Sequence, residues 1–300
     1  MIEFSPICLF TYNRLKETQL TVEALKKNYL ARDSRLIIFS DGAKKTDTEH
    51  KVQAVRDYLK TIDGFNTVEI IESSTNKGLA DSIISGVSEV VNKYGTAIVL
   101  EDDLVTSPNF LTYMNQCLKF YENDDRIISI CGYGLKIKKP ISYKADVYLY
   151  GRSSSWGWAT WKDRWNPIDW EVKDWETFKK DKKAIKTFNK NGSDMYKMLK
   201  SVIEGTGSSW AIRLGYEQFK KNKYSIIPFK SLVDNIGFTE EGTNTKFRYS
   251  RFKIIKEDPE KIDFLLESEI VPNIEIEKSC YKYHSIPIRI YSRLRYVLGF

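Results

Sequence analysis

The first hundred residues alternate short apolar runs with amphipathic stretches, and that alternation leaves few architectures open. Strands are expected at Ile7 to Tyr12, Leu36 to Ser40, Val68 to Glu72 and Ala97 to Leu100. Helices are expected between them, at about Leu15 to Tyr29, Thr48 to Thr61 and Leu79 to Tyr94. A βαβαβαβ order implies a mostly parallel sheet covered on both faces, with ligands at the carboxyl ends of its strands. The residues expected at that edge are Thr11 to Arg14, Ser40-Asp41-Gly42, Ser73 to Gly78, and the triplet Glu101-Asp102-Asp103.

The triplet carries the first chemical signal. Ionised carboxylates beside a hydrophobic core are costly unless a cation offsets their desolvation, and a hard divalent ion bridging phosphate oxygens would do so. A solvated acidic turn is the competing reading. The chain has two histidines and four cysteines, Cys8, Cys117, Cys131 and Cys280, without CxxC spacing. That argues against a zinc centre and leaves oxygen ligands for Mn²⁺ or Mg²⁺. The formal net charge of +7 suits a phosphorylated small molecule or a membrane surface, and no nucleic-acid-binding motif is present. No apolar run approaches about 18 residues and no leader precedes the first strand, so a cytoplasmic protein is expected.

Beyond the triplet, Ser107-Pro108 is expected to start a helix running to about Asn123, with Ser107 as cap. Ile127 to Gly132 and Tyr224 to Ile227 read as strands, and Ser231 to Asn244 as a loop. The segment Gly151 to Trp161 places three tryptophans in six residues around a glycine, at neither a helical nor a strand period. It is expected to form a lid over a ligand, with Trp156 and Trp158 facing a sugar, though buried core filling is an alternative. Asp41 could accept a hydrogen bond from a nucleotide base or simply make an Asp-Gly turn. Arg14 could meet a diphosphate or sit at a helix start. Asn76-Lys77-Gly78 precedes a helix whose amino terminus would favour an anion.

Taken in order, PICLFTYNR, IIFSDG, NKGLADSI, IVLEDDLVTSPNF, DDRIISICGYG and SSWGWATWKDRW resemble GT-A glycosyltransferases. The closer likeness is to bacterial, family 2-like relatives of N-acetylglucosaminyltransferase I. The resemblance covers most of the chain and continues through SSWAIRLGYEQF to SLVDNIGF. It implies an α/β GT-A fold, Rossmann-like, with a mostly parallel sheet flanked by helices and a smaller acceptor-side lobe. Residues 1–132 would form the nucleotide-sugar half and 133–284 the acceptor-side half with its Trp-rich lid. By the same resemblance, Arg14 and Asp41 lie near the base, Lys77 and Gly78 face the donor, Asp102 approaches the ribose or sugar, and Asp103 ligates Mn²⁺ or Mg²⁺. Glu101 is then a structural partner. The implied activity is inverting transfer of a sugar, best matched by a UDP-sugar donor, to a glycan or lipid-linked oligosaccharide acceptor in surface polysaccharide or glycoprotein assembly.

The chain departs from the family pattern at the base. The region that should carry an aspartate reads Gly207-Ser208-Ser209-Trp210-Ala211-Ile212-Arg213. Glu217 is the first candidate for that role and Glu204 the second. Arg213 is expected to bind a phosphate or to serve as an ion-pair partner. Asn235 and Gly237 belong to a loop that the resemblance brings near the site. The basic, apolar tail 285–300 is expected to dock on a membrane or to pack as a helix. Two further classes stay open: a sugar-phosphate nucleotidyltransferase, which would want a Gly-rich loop after the first strand, and a catalytically silent carbohydrate-binding protein.

Overall fold

A computed structural model describes residues 4–238 and 249–298. The expected alternation is present: β1 (Ile7–Thr11), α1 (Leu15–Lys26), β2 (Arg35–Ser40), α2 (Glu49–Leu59), β3 (Thr67–Glu72), α3 (Leu79–Tyr94) and β4 (Thr96–Glu101). It is followed by β5 (Leu104–Thr106), α4 (Phe110–Phe120), β6 (Ile127–Cys131), β7 (Val147–Tyr150) and β8 (Trp158–Trp161). The helices α5 (Lys162–Trp165), α6 (Trp175–Phe178), α7 (Lys182–Phe188), α8 (Met195–Ile203) and α9 (Trp210–Lys220) come next. The chain then runs through β9 (Tyr224–Pro228) and β10 (Val233–Asn235) to α10 (Ile274–Tyr283) and α11 (Ile286–Val297).

Eight strands form one sheet in the order β3-β2-β1-β4-β8-β6-β9-β7. The pairings β3-β2, β2-β1, β1-β4 and β6-β9 are parallel, whereas β8 runs antiparallel to both β4 and β6 and β7 antiparallel to β9. The fold is therefore a mixed, mostly parallel GT-A-type α/β sheet flanked by helices, and the sheet continues across the boundary expected at 132/133.

Period-two alternation sorts the strand side chains onto two faces. Ile7, Leu9, Ile98 and Leu100 pack with α1, α2 and α4, while Cys8, Phe10, Ala97 and Val99 pack with α3, Trp165 and α9. The α3 helix earns its place on the second face by burying Ala80, Ile83, Val87, Val90 and Val91 at helical spacing. A third cluster, around Trp175, Phe178, Phe188 and Tyr216, holds α6 to α9 together.

Several expectations need correction. The Trp-rich segment divides in two: Arg152 to Trp156 line the cleft, but the second half is β8, in the middle of the sheet, and Trp158 is 1% exposed, between Trp165 and Trp210. A strand buried on both faces has no polar side to reveal a period. The helix after the triplet starts at Phe110 rather than at Pro108, because Ser107 and Pro108 make the turn before it. The expected loop 231–244 contains β10, and its residues 239–244 lie outside those described.

Candidate active site

A cleft of about 1010 Å³ opens along the carboxyl edge of the sheet. One end is built by the termini of β1, β2 and β4, which deliver Arg14, Asp41 and the acidic triplet into it. Arg14 bonds Asp102 through Nη2 and reaches Asp103 Oδ2 through Nη1 at 3.0 Å. Burial works against the Arg14 charge, but Asp102 and Asp103 more than offset it and hold the guanidinium protonated. On the acid side, burial and then Asp103 and Asp102 push the Glu101 carboxyl up to about 8. Burial raises Asp102 and Asp103 as well, against the pull of Arg14. With Glu101 raised in this way, Asp102 and Asp103 share the one guanidinium of Arg14, which leaves one formal negative charge without a counterpart.

The observation that fits a cation here is Asp103 Oδ1, which is buried without a hydrogen-bond partner. No group of three or more His, Cys, Asp or Glu side chains among the described residues could hold a metal unaided. The residues therefore fit an ion held jointly by Asp103 and a ligand's phosphate oxygens, the usual manner for Mg²⁺. β10 closes this end. It pairs with β5, and Ile236 donates its amide to the Asp103 carbonyl at 2.9 Å. Asn235 Oδ1 accepts the Gly237 amide at 2.9 Å, which turns the glycine onto the Asp103 carboxylate.

Asp41 has a different occupation from the expected one. Its Oδ1 accepts from the amides of Gly42 and Lys77, both at 2.9 Å, and its Oδ2 from Asn76 Nδ2 and the Gly78 amide, both at 3.0 Å. A carboxylate has about four lone-pair sites, and all are filled by the chain. Asp41 thus fixes the 76–78 loop from the wall of the cleft. The anion at the start of α3 is Asp41 itself, and the amides of Lys77 and Gly78 are spent on it. The Lys77 side chain is exposed, and Gly78 adopts φ +77°, a backbone conformation natural to glycine.

In the middle of the cleft, Trp156 contacts Tyr133, Phe238 and Phe252 with ring centroids 4.5, 5.7 and 5.5 Å away. It lines the cleft as expected, whereas Trp158 does not. Nor does either acid proposed as the base. Glu217 is 3% exposed on α9 and paired with Lys221 at 2.7 Å and Lys220 at 3.2 Å, away from the cleft. Glu204 is exposed at the end of α8, near Lys200. Arg213 donates to the Trp170 carbonyl at 3.0 Å and does not line the cleft, which makes it a structural residue.

The far end holds residues that sequence spacing did not bring together: Arg152, Asp194, Arg251, His284 and Arg289. Arg152 Nη1 lies 2.8 Å from Asp194 Oδ1, and Arg289 Nη2 lies 3.9 Å from Asp194 Oδ2. Burial would raise the Asp194 carboxyl, but Arg152 and Arg289 hold it well below the usual carboxylate range. Burial, then Arg152, keeps His284 neutral well below its ordinary value. These positions span more than a hundred residues of sequence, and no local pattern announces them.

A sequence model described as glycosyl transferase family 2 matches residues 7–193, more than half of the chain. No curated protein matches in sequence. Among solved structures, the chain is similar to mannosyltransferase PcManGT from Pyrobaculum calidifontis in complex with GDP-Man and Mn²⁺, at 11% identity and a TM-score of 0.38. That likeness covers 53% of this chain and 45% of the mannosyltransferase, so the chain spans under half of that relative. It is also similar to a UDP-glucose pyrophosphorylase complexed with UDP-glucose, at 12% identity and a TM-score of 0.38, over 75% of this chain and 90% of that one. S. aureus TarS is similar at 13% identity and a TM-score of 0.33, over 51% of this chain and 25% of its own.

Proposed function

The chain belongs to glycosyl transferase family 2, and from that premise we propose that it moves a sugar from a UDP-sugar, held with Mn²⁺ or Mg²⁺, to a glycan acceptor with inversion at the anomeric carbon. The observation that carries the metal and diphosphate is the unpartnered, buried Asp103 Oδ1 at the edge where family members bind the donor. The uncompensated negative charge that Asp102 and Asp103 leave beside Arg14 supports a divalent cation. Bound to Asp103 and the diphosphate, such a cation would neutralise charge on the leaving nucleotide.

The chain's own residues prepare that end. Arg14 orients Asp102 and Asp103 through its fork of donors. Asp41 holds the 76–78 loop against the mouth of the donor end. Trp156 and its aromatic neighbours offer a wall on which a sugar face can stack between the two ends of the cleft. Asp194, the carboxylate that lines the far end, is too acidic in its arginine clamp to serve well as a base.

A peripheral contact with an anionic membrane surface belongs to the same proposal. No described helix is long and apolar enough to cross a membrane. The α11 helix nonetheless leaves Ile286, Ile290, Leu294 and Val297 more than half exposed, with Arg293 also exposed beside them. Apolar anchors flanked by cations suit an anionic lipid surface.

A thermal-shift series with nucleotide sugars, each with and without Mn²⁺, tests the function. The expected result is stabilisation by a UDP-sugar that depends on the metal and is absent from Asp103→Ala. Stabilisation that ignores Mn²⁺, or survives Asp103→Ala, would remove the metal assignment.

A further inference from the structure

The cleft has two poles of opposite charge, and the donor accounts for only one. At the far end, the three guanidiniums of Arg152, Arg251 and Arg289 face the single carboxylate of Asp194. His284 between them is neutral. The sum is two formal positive charges. Arg251 has no carboxylate partner among the described residues; its guanidinium rests on the Phe252 ring, 4.4 Å from the centroid. Burial disfavours its charge most, Tyr283 and Asp194 partly offset this, and the neighbouring Arg289 and Arg152 add to the cost. Several arginines held together in a half-buried site repel one another and lose hydration, so the arrangement gains most when a dianion joins it.

The surroundings show that the cluster is held in place. Asp194 clamps Arg152 and Arg289 from two parts of the chain, and Gly192 leaves room for the Arg152 guanidinium, which a Cβ there would overlap. The Arg251 backbone is fixed twice: its amide donates to Ser292 Oγ at 3.0 Å and its carbonyl accepts from Tyr283 Oη at 2.7 Å. The Tyr283 hydroxyl also lies 2.9 Å from that of Tyr133, which packs on Trp156. An aromatic wall thus runs from the Asp103 end to the arginines.

We propose that Arg152, Arg251 and Arg289 form an acceptor-side anion subsite, so that the acceptor carries a phosphate group. The proposal rests on the glycosyltransferase reading for the word acceptor. Two net positive charges match a phosphate dianion better than a single carboxylate, and arginine forks suit phosphate oxygens. The phosphate can belong to a polyprenyl carrier or to a sugar phosphate.

The test is calorimetric titration of wild type, Arg251→Gln and Arg251→Lys with inorganic phosphate, glucose 1-phosphate and farnesyl phosphate. UDP with Mn²⁺ is titrated into the same proteins. Arg251 is the chosen position because it lacks a carboxylate partner among the described residues, and thermal unfolding of each variant verifies folding. The expected result is salt-sensitive binding of the phosphorylated probes to wild type, weakened about tenfold or more in Arg251→Gln and less in Arg251→Lys. UDP affinity should stay within about twofold. Tighter farnesyl phosphate binding identifies a lipid source, and tighter glucose 1-phosphate a sugar source. Equal binding in Arg251→Gln, or no binding to wild type at millimolar probe, overturns the subsite. Loss of UDP together with phosphate also overturns it, by giving the cluster to the donor. Phosphate binding by a wild type that ignores every nucleotide keeps the subsite and removes the transferase reading.

Discussion

Gly237 and Asp103 stand so close that a Cβ on the glycine would overlap Asp103 Oδ2, at 2.7 Å from its Cγ and 3.0 Å from Arg14 Nη1. Gly237→Ala must therefore push aside the carboxylate assigned to the metal or the arginine that orients it. Overpacking of this kind costs roughly 1–3 kcal/mol, and here the strain falls on the site. The expected outcome is at least about a tenfold loss of Mn²⁺-dependent UDP affinity, measured by calorimetry beside wild type. Unchanged affinity would mean that the β10 loop yields without disturbing Asp103.

Asp41→Asn tests the loop assignment. The amide keeps one acceptor oxygen and turns the other into a donor, which then faces chain donors such as the Gly78 amide or Asn76 Nδ2. A loss of about 2 kcal/mol in unfolding free energy is expected, since each buried group left unpaired costs about 1–3 kcal/mol. Urea unfolding measures it. Full stability with weakened nucleotide binding would return Asp41 to the base-reading role.

The fold was legible where its signals are local. α3 was read with its bounds intact because its apolar spacing, its Gly78 start and its Gly95 stop agree. Arg14 and the triplet were legible because parallel strands place their following residues at one edge. Trp158 gives no such signal, because a strand buried on both sides shows no alternation and its tryptophans resemble those of a loop. The direction of Glu217 is not written in the sequence: on α9, Gly215 and Ile212 line the cleft while Glu217 points to Lys220 and Lys221. The arginine cluster was hidden because Arg152, Asp194 and Arg251 meet only after the chain has folded.

Glu217→Gln separates a structural acid from a catalytic one. A base within the cleft would lose roughly 10²-fold or more in turnover on this change. Turnover within about twofold of wild type is expected instead, because the carboxylate lies outside the cleft. Stability should fall by about 1–2 kcal/mol, as the partly solvated Lys220 and Lys221 lose a buried partner. Steady-state kinetics beside urea unfolding decides the case, and a collapse in turnover without a stability change would reinstate Glu217.

Acid sensitivity should begin at His284. Burial first, then Arg152, lowers its affinity for a proton, with Arg251 and Arg289 adding to the effect and Asp194 opposing it. The ring stacks 6.0 Å from Tyr150 and meets Tyr283 edge-on. The unfolded chain takes up a proton near pH 6.5 that the native chain refuses, so this contribution is full above about pH 6.5 and falls below it. The limit is about 1.4 kcal/mol per pH unit. Asp194, depressed in the folded state, adds a second loss as pH falls below about 4. Glu101 and Asp102, raised in the folded chain, add stability as pH falls through the same range. The quantity to read by urea unfolding is therefore the difference between wild type and His284→Asn, which should move against wild type below about pH 6.5. An identical profile in the two proteins would show that His284 titrates normally.

The two faces of α11 make separable predictions. Its inner face belongs to the cleft, through Arg289 near Asp194 and Ser292 on the Arg251 amide. Its outer face leaves Ile290 and Leu294 exposed one turn apart. Ile290→Glu/Leu294→Glu places two acids among the apolar anchors without touching the inner face. Wild type should sediment with phosphatidylglycerol vesicles, less so as salt rises, because part of the attraction is electrostatic. The double variant should stay in the supernatant while keeping its UDP affinity, since no donor contact lies on that face. Equal sedimentation of both proteins would remove the membrane role from α11. A loss of UDP affinity in the variant would instead show that the outer face communicates with the site through Arg289.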